Sequence, residues 1–447
     1  MINLPENVIS AINLLENSGF EAYAVGGAVR DSLLGKNASD FDITTSAFPE
    51  ETKKVFSAFK VIETGIKHGT VTVLFDGEPL EITTFRIDGE YEDNRHPESV
   101  VFTRNIKDDL SRRDFTVNAI AYSHKRGFVD FFGGLNDLKK GIIRAVGDAD
   151  KRFGEDALRI LRCVRFASTL GFEIEEETSK SVRKNIHLLD NVSAERIFVE
   201  LKKMICGKNV GDVFEKYPEV ISKIVPELEK SVGFDQKSKY HIFDVYTHTY
   251  KSINISENNV ILRLALLFHD CGKPYVYTTD EEGFRHFIGH QKESVRLTEN
   301  ALLRLKCDNK TLEMVKTLVL YHDYKLERGK KYIKRFLTKV SFDEARLIIK
   351  MKYADMASHA PKCIMSEEER DEFLFWIDEL EREGACVSLK TLAVKGDDLF
   401  AVGIPKERIM GRVLNNLLEL VVEEELPNER NELLKKGKEL FELLKNS

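Results

Sequence analysis

Two aspartates separated by one residue, Asp40 and Asp42, carry the clearest chemical signal in the sequence. If this segment is a strand, side chains two residues apart point to the same face, and the two carboxylates lie side by side. Carboxylates that close repel each other unless they lie at a surface or share a cation. Oxygen ligands on one face suit Mg²⁺, which proteins usually hold with one or two carboxylates and a substrate phosphate. Glu81, on a later predicted strand, is a candidate third carboxylate.

A glycine pair followed by an arginine precedes these carboxylates and predicts a phosphate-binding turn. Gly26 and Gly27 end an apolar run, and glycine lets backbone N–H groups approach a phosphate closely because it has no Cβ. The helix predicted to follow would direct its N-terminal dipole at the same anion, and Arg30 adds a fork-shaped donor. Together with a metal at Asp40 and Asp42, these groups fit nucleotidyl transfer, in which a 3′-hydroxyl attacks an α-phosphate. Each motif alone is explained as well by a turn or an exposed strand end.

A second pattern suggests recognition of a nucleobase. Asp156 and Arg159 are spaced i, i+3, so a continuous helix would present both on one face. A carboxylate accepts hydrogen bonds and a guanidinium donates them in a rigid fork, so the pair can read the amino group and ring nitrogen that cytosine and adenine share. Arg162 and Arg165 continue in steps of three and would face the triphosphate or the RNA end. An internal ion pair on a solvated helix face explains the same spacing.

The composition sets the limits within which these motifs must work. A chain of 447 residues predicts three or more domains, and 32% charged with 42% hydrophobic residues fits a soluble globular protein. No secretory signal or membrane span is expected, since the longest apolar run, at 260–268, is broken by Arg263. Six cysteines without a CxxC pair favour a reducing, cytoplasmic setting. With a net charge of −7, a nucleic-acid partner needs local basic patches.

Strands and turns dominate the first hundred residues, and helices the remainder. In the segment 69–77, Val71, Val73 and Phe75 alternate with polar residues and predict a strand with one buried face. No helix of useful length separates the early strands, which predicts a mixed or antiparallel sheet. From about residue 105 the pattern is helical. The predicted helices lie at 154–172, 176–190, 193–206, 210–225 and, with an acidic face, after Pro361.

Three segments in order resemble one enzyme family. The stretch "YAVGGAVRDSLLGKNASDFDITTSAFPEE" resembles the signature of class II tRNA nucleotidyltransferases, the CCA-adding enzymes, which bacterial poly(A) polymerases share. The segment "DLSRRDFTVNAIAY" resembles the family's second motif, with Arg113 at the position of a nucleotide-contacting arginine, and "GEDALRILRCVRF" resembles its base-selecting Glu-Asp-x-x-Arg motif. The similarity covers about the first 230 residues. It implies an α+β fold, with a DNA polymerase beta-like nucleotidyltransferase head and small mixed sheet, then an all-helical neck, an HD domain and a helical tail.

The family resemblance also implies an activity and its alternatives. The expected reaction is template-independent addition of CCA to tRNA 3′ ends from CTP and ATP with Mg²⁺. The loop at 84–97, with Arg86 and Asp88, resembles a flexible element that the family needs for the final A. Its presence favours a complete CCA-adding or an A-adding enzyme. Poly(A) polymerase activity is a further alternative, as is an HD phosphohydrolase whose head only binds nucleotides.

A histidine-rich stretch, 241–359, holds seven of the eleven histidines. Its order H…HD…H…H…D resembles the HD phosphohydrolase superfamily, whose helical domains bind one or two divalent cations. Such ligands suit Mn²⁺, Fe, Ni²⁺, Co²⁺ or Mg²⁺ better than a structural zinc. Any single one of these histidines is more simply a surface or core residue. The ligands that the resemblance implies are His248, His269, Asp270, His290, His322 and Asp355.

The resemblance gives a provisional division of the chain and its partners. The tail resembles that of clostridial and bacillar CCA-adding enzymes, which implies contact with the outer corner of tRNA, while the other domains meet the acceptor arm. No membrane partner is expected, and the oligomeric state is left open. The expected domains are a head at 1–145, a nucleotide-selecting neck at 146–235, an HD domain at 236–360 and a tRNA-binding tail at 361–447.

Overall fold

The computed structural model describes residues 2–38, 40–75, 77–89 and 99–445, with only the backbone for Cys363. The chain divides into two compact units, Met1–Pro226 and Glu227–Ser447. Within the described residues, no helix has the length and apolar character needed to cross a membrane.

The first unit combines a mixed sheet with short helices, as the α+β prediction requires. Its strands are β1 (Ala22–Val25), β2 (Asp42–Thr45), β3 (Lys60–Ile62), β4 (Thr70–Phe75), β5 (Glu78–Thr84), β6 (Arg86–Asp88), β7 (Val100–Phe102), β8 (Ala121–Ser123), β9 (Gly127–Val129), β10 (Ile142–Ile143) and β11 (Glu173–Ile174). Its α-helices are α1 (Glu6–Asn17), α2 (Gly27–Leu33), α3 (Pro49–Val55), α4 (Ile106–Ser111), α5 (Gly134–Lys140), α6 (Ala149–Glu155), α7 (Leu158–Phe166), α8 (Glu176–Lys184), α9 (Ala194–Ile205), α10 (Val210–Lys216) and α11 (Pro218–Ile224).

Seven of these strands form one sheet in the order β3-β4-β5-β2-β1-β8-β9. Strands β2 and β5 run parallel and the other neighbours run antiparallel, which confirms the predicted mixed sheet. Strand β1 is buried on both faces: Ala24 belongs to a core with Ile12 of α1, whereas Val25 belongs to a second core with Leu110 of α4. This alternation fixes which side chains reach the end of the sheet.

Strands β8 and β9 correct the expectation that the chain is helical from residue 105. They extend the sheet through pairing of Ala24 with Tyr122 and of Tyr122 with Phe128. Each strand has three residues, too few to show a period in the sequence, and their conformation depends on backbone pairing of β8 with β1 and of β9 with β8.

The single helix predicted for 154–172 is also wrong, because the chain breaks at Asp156. Helix α6 ends at Glu155, α7 begins at Leu158, and Asp156 adopts extended angles with φ −137° and ψ 103°. The Asp156 carboxylate accepts a hydrogen bond from the backbone N–H of Leu158 at 3.1 Å, an alternative to helical bonding that aspartate favours. The helix predicted for 210–225 is divided as well, because Pro218 disfavours helical angles at Tyr217, where φ is −130°.

The second unit is almost entirely helical. Helix α13 forms its centre: residues 262–268 are all buried, and α12, α15 and α17 pack around it. The predicted acidic helix after Pro361 is confirmed as α18. The elements of this unit are α12 (Val245–Ile255), α13 (Val260–Phe268), β12 (Thr278–Thr279), β13 (Arg285–His286), α14 (His290–Arg304), α15 (Asn309–Tyr321), α16 (Lys330–Phe336), α17 (Phe342–Met356), α18 (Glu367–Arg382), α19 (Gly396–Ala401), α20 (Arg408–Val422) and α21 (Arg430–Lys445).

Candidate active sites

The strand register brings the predicted carboxylates and the glycine turn together at one end of the sheet. Asp42 begins β2 and pairs with Val25, the last residue of β1, which directly precedes Gly26. On the other side, the parallel register of β2 with β5 brings Asp42 next to Glu81. Asp40 lies two residues earlier and is exposed.

The charges around Asp42 leave room for a cation. Partial burial raises the pKa of Asp42, the guanidinium of Arg113 lowers it, and the carboxylates of Glu81 and Asp40 raise it again. The residue is nevertheless exposed, so it lies at the surface rather than in the core. The three carboxylates offer only oxygen ligands. Because Arg113 alone does not compensate their mutual repulsion, the group fits Mg²⁺.

The glycine turn lies against Arg113. Gly26 has φ 81° and ψ −140°, angles that glycine tolerates, and a Cβ there would lie 3.1 Å from Nη1 of Arg113. Nη2 of Arg113 lies 3.7 Å from Asp109, and Nε is buried without a hydrogen-bond partner among the described residues. A buried donor of this kind beside Gly26 and Asp42 fits an anionic ligand oxygen.

Arg30 has internal partners in this structure. Its guanidinium donates two hydrogen bonds of 2.9 Å to Asp31 and one of 2.6 Å to Asn118. It also lies 4.9 Å from the centre of the Phe166 ring. Gly27 begins α2 next to it, since a Cβ at Gly27 would lie 3.6 Å from Nη2 of Arg30. Phosphate binding by Arg30 therefore stays a prediction and requires these contacts to rearrange.

Asp156 and Arg159 do not share a helix face, contrary to the spacing argument. The Asp156 carboxylate pairs with Nη2 of Arg196 at 3.1 Å, whereas Arg159 donates to Glu155 at 2.8 Å and to the carbonyl of Arg112 at 2.9 Å. No pattern in the sequence pointed to Arg196, which lies forty residues beyond Asp156. Base recognition by Asp156 and Arg159 stays a prediction.

Arg162 and Arg165 are held by carboxylates that sequence reasoning missed. Arg162 makes two hydrogen bonds, of 2.8 and 2.6 Å, to one oxygen of Asp114, and Arg165 donates to Glu200 at 2.6 Å. Burial raises the pKa of Asp114, but Arg162 and the amide of Asn118 together outweigh burial and lower the pKa to about 2. The only hint of Asp114 was its position directly after Arg113.

The predicted flexible loop rests on a short ladder. Strands β6 and β7 pair antiparallel, so Arg86 lies opposite Phe102 and Asp88 opposite Val100. The Asp88 carboxylate lies 3.1 Å from Arg86 and 3.6 Å from Arg112. Residues 90–98 of the predicted loop lie outside the described residues.

In the second unit, the structure brings the six predicted metal ligands into one buried cluster. Nε2 of His248 lies 2.8 Å from Oδ1 of Asp355 and 3.2 Å from Nε2 of His269, and Nε2 of His269 lies 3.3 Å from Oδ2 of Asp270. We call His248, His269, Asp270 and Asp355 the first ligand set. The other oxygen of Asp270 lies 3.3 Å from Nε2 of His290 and 3.7 Å from Nε2 of His322. We call Asp270, His290 and His322 the second ligand set.

Hydrogen bonds on the far side of each ring fix the tautomers in the second set. Nδ1 of His290 lies 2.8 Å from the carbonyl of Phe287, and Nδ1 of His322 lies 2.7 Å from that of Val319. A carbonyl only accepts, so Nδ1 carries the proton and Nε2 keeps a lone pair. The two Nε2 atoms are 3.2 Å apart. Two lone pairs at this distance repel unless a proton or a metal ion lies between them. With the Asp270 oxygen beside both rings, the three residues are a candidate metal site.

The first set has the same support. Nδ1 of His269 lies 2.7 Å from the carbonyl of Leu266, and Nδ1 of His248 lies 2.8 Å from the hydroxyl of Ser358. Burial would raise the pKa of Asp270, but His269 and Lys273 hold it well below its ordinary value.

Sequence reasoning missed three polar side chains at the edge of this cluster, namely Lys273, His241 and His359. The ammonium of Lys273 lies 2.6 Å from Asp270 and 2.9 Å from the amide oxygen of Gln236. His241 and His359 stack edge to face with ring centres 4.3 Å apart. All three line an open cavity of about 980 Å³ that reaches the ligand sets.

Three family models match the chain in the order of these features. The model described as "Poly A polymerase head domain" matches residues 22–144, that described as "Probable RNA and SrmB- binding site of polymerase A" matches 171–229, and the HD domain matches 239–382. The first covers the strands with Asp42 and Glu81, and the third covers the histidine cluster. Over these segments the chain resembles the family of tRNA nucleotidyltransferases and poly(A) polymerases, followed by an HD domain.

Individual members of this nucleotidyltransferase family show how far the likeness extends. The CCA-adding enzyme of Lactobacillus helveticus is 50% identical over 229 residues, which are 50% of this chain and 57% of that enzyme. The CCA-adding enzyme of Ligilactobacillus salivarius is 51% identical over 210 residues, 46% of this chain and 52% of that enzyme. The matched segment thus spans little more than half the length of these relatives.

A solved structure resembles the whole chain. The crystal structure of the Bacillus stearothermophilus CCA-adding enzyme in complex with CTP covers 99% of this chain and 100% of its own, with 27% identity and a TM-score of 0.76. The fold of this family therefore extends over both units.

Proposed function

We propose that the protein adds C, C and A to the 3′ ends of tRNA from CTP and ATP without a nucleic-acid template. One observation carries the proposal: the sheet places Asp42 between the Gly26 turn and Glu81, with Arg113 beside them. The relatives that share this segment at about half identity are named CCA-adding enzymes. The related Bacillus enzyme, at 27% identity, was crystallised with CTP.

The side chains divide the work of binding the nucleotide. The Gly26 turn lets backbone donors approach the triphosphate, and the unpaired Nε of Arg113 donates to a phosphate oxygen. Asp156 and Arg159 read the base once nucleotide contacts replace those to Arg196 and Glu155. Arg162 and Arg165 lie in the same region of the first unit. Arg30 and Gly27 support the turn from α2.

Asp40, Asp42 and Glu81 would hold Mg²⁺. When bound, the ion neutralises charge on the attacking and leaving oxygens of the transfer. The exposed position of Asp42 leaves its carboxylate accessible to both substrates.

Poly(A) polymerase and A-adding activity are the alternatives within the family. A direct test supplies tRNA lacking CCA, CA or only A, with CTP and ATP added separately. CCA addition predicts that CTP extends the first tRNA by two residues and that ATP extends only the third. Extension of every substrate by ATP alone would favour the alternatives.

We also propose that the histidine cluster is a metal-dependent phosphohydrolase site, because four imidazoles and two carboxylates converge there in buried positions. A divalent ion, such as Mn²⁺, Ni²⁺, Co²⁺ or Mg²⁺, would lower the pKa of its bound water and supply a nucleophile near neutral pH. The substrates would be phosphorylated RNA ends such as 2′,3′-cyclic phosphates, which block the 3′-hydroxyl that CCA addition needs. The test is hydrolysis of 2′,3′-cyclic nucleotides and phosphomonoesters by protein loaded with each ion. A protein that retains no metal and hydrolyses none of them would remove this function.

A functional division of the chain follows from these sites. Catalysis belongs to the head at 1–145, nucleotide selection to the neck at 146–235, and hydrolysis to the HD domain at 236–360. The helical tail at 361–447 would contact the outer corner of tRNA while the head holds the acceptor arm. A protein with these substrates works in the cytoplasm.

A further inference from the structure

Within the second unit, two histidines at the edge of the metal cluster differ from the four in the ligand sets. His248, His269, His290 and His322 each have Nδ1 within 2.8 Å of a backbone carbonyl or hydroxyl, which aims Nε2 at the centre. Such anchoring is typical of imidazoles that bind metal.

His359 lacks this anchor. Among the described residues its Nε2 is buried without a hydrogen-bond partner, although it lies 3.3 Å from Oδ1 of Asp355 in the first ligand set. A carboxylate oxygen at that distance favours the tautomer with the proton on Nε2. The ring is 15% exposed and lines the cavity, so a molecule that enters the cavity reaches the ring that carries this N–H.

His241 holds the His359 ring in place. The rings meet edge to face at 4.3 Å, and Nε2 of His241 accepts a hydrogen bond from Lys273 at 3.3 Å. Lys273 is itself committed to Asp270 and Gln236. Among the described residues beside the first ligand set, Nε2 of His359 is therefore the donor that no acceptor meets in hydrogen-bond geometry.

We propose that His359 is the substrate-binding residue of the histidine cluster and that it donates a hydrogen bond from Nε2 to an oxygen of the phosphoryl group. His241 is a positioning residue that orients the ring. The proposal rests on the phosphohydrolase function and names one group that would contact its substrate. A phosphoryl oxygen bound next to Asp355 gives Nε2 of His359 an acceptor in hydrogen-bond geometry, which the Asp355 carboxylate at 3.3 Å does not offer.

The test uses the full chain loaded with Mn²⁺ and inorganic phosphate as the probe. Calorimetry gives the phosphate dissociation constant of wild type, His359→Ala, His359→Gln and the control His286→Ala, and elemental analysis gives bound Mn²⁺ per chain. His286 lines the same cavity but is exposed and paired with Asp280 at 2.7 Å. We expect His359→Ala to keep the wild-type metal content and to bind phosphate about tenfold more weakly or worse. His359→Gln, which keeps a donor, recovers part of the affinity, and His286→Ala is unchanged.

Two results would overturn the assignment. Loss of Mn²⁺ from His359→Ala would show that His359 is a metal ligand. An unchanged phosphate affinity would show that His359 does not bind phosphate. Hydrolysis is measured separately, so the two proposals fail differently. If the wild type binds phosphate through His359 but cleaves no ester, the hydrolase function is wrong and His359 remains a phosphate-binding residue. If the protein hydrolyses esters but His359→Ala changes neither phosphate binding nor turnover, the phosphohydrolase function stands and the role of His359 is wrong.

Discussion

At the scale of single residues, the proposed metal site depends on the register of two strands. Asp42 and Glu81 belong to different strands, and their proximity follows from the parallel register of β2 with β5. We expect Asp42→Asn and Glu81→Gln each to lower incorporation of both C and A by about a hundredfold or more, because each loses a charged metal ligand. Primer-extension rates with Mg²⁺ measure this, and tRNA binding measured by gel shift should persist.

Glu78→Gln is the matched control for this prediction. Glu78 lies three residues before Glu81 on β5, is exposed, and accepts a hydrogen bond from Asn7 at 3.1 Å. It should extend tRNA at the wild-type rate. Near-normal incorporation by Asp42→Asn would contradict the metal assignment.

Base choice is a second question at this scale. Asp156→Ala or Arg159→Ala should relax discrimination against UTP and GTP by about tenfold or more, because a designed hydrogen-bonding partner is lost. Competition between nucleotides in single-turnover extension gives the ratio. Asp150→Asn, on the exposed side of α6, is the control. If the variants lose all four nucleotides equally, Asp156 and Arg159 bind the phosphates or only support the fold.

At the scale of elements, a buried ion pair ties α7 to the segment after α4. The pKa of Asp114 falls from 3.8 to about 2, so its ionised form stabilises the fold above about pH 4, and this stabilisation is lost as the pH falls toward 2. The shift corresponds to about 2 kcal/mol. Asp114→Asn should therefore lower the free energy of unfolding at pH 7 by about that amount and flatten its decline between pH 4 and pH 2.

Asp150→Asn separates this effect from a mere change in charge. The pKa of Asp150 also falls to about 2, chiefly through a hydrogen bond from Lys184, but the pair is exposed and screened by water. Urea unfolding as a function of pH should show a much smaller effect for this variant. Equal losses from both substitutions would mean that burial of the Arg162–Asp114 pair is not what stabilises α7.

The same elements show what the sequence could and could not predict. Alternation of Val71, Val73 and Phe75 identified β4, because a half-buried strand imposes a period of two. The helix across Asp156 was wrong because a local side-chain hydrogen bond competes with helix formation, which periodicity does not detect.

Residues that act through tertiary contacts were beyond the sequence. Arg196 and Asp114 meet their partners only after the chain folds back, and no spacing rule connects them. Motif order was informative for the opposite reason, since the glycine turn and the two aspartates are held by adjacent strands.

At the scale of the whole molecule, the two proposed activities belong to different compact units, Met1–Pro226 and Glu227–Ser447. His269→Ala combined with Asp270→Ala should therefore abolish metal binding by the histidine cluster and any ester hydrolysis, and leave CCA addition near the wild-type rate. Metal content and both assays on one preparation measure this, with thermal unfolding to confirm that the variant folds. Loss of CCA addition in a folded variant would contradict the independence of the two sites.

In the proposed function the protein, rather than a nucleic-acid template, determines the sequence CCA. The most direct measurement incubates tRNA lacking CCA with the full chain, Mg²⁺ and all four nucleoside triphosphates, and then sequences the 3′ ends. We expect one dominant product that ends in CCA and is not extended further, and no product from Asp42→Asn. Homopolymeric A tails, or ends of mixed sequence and length, would contradict it.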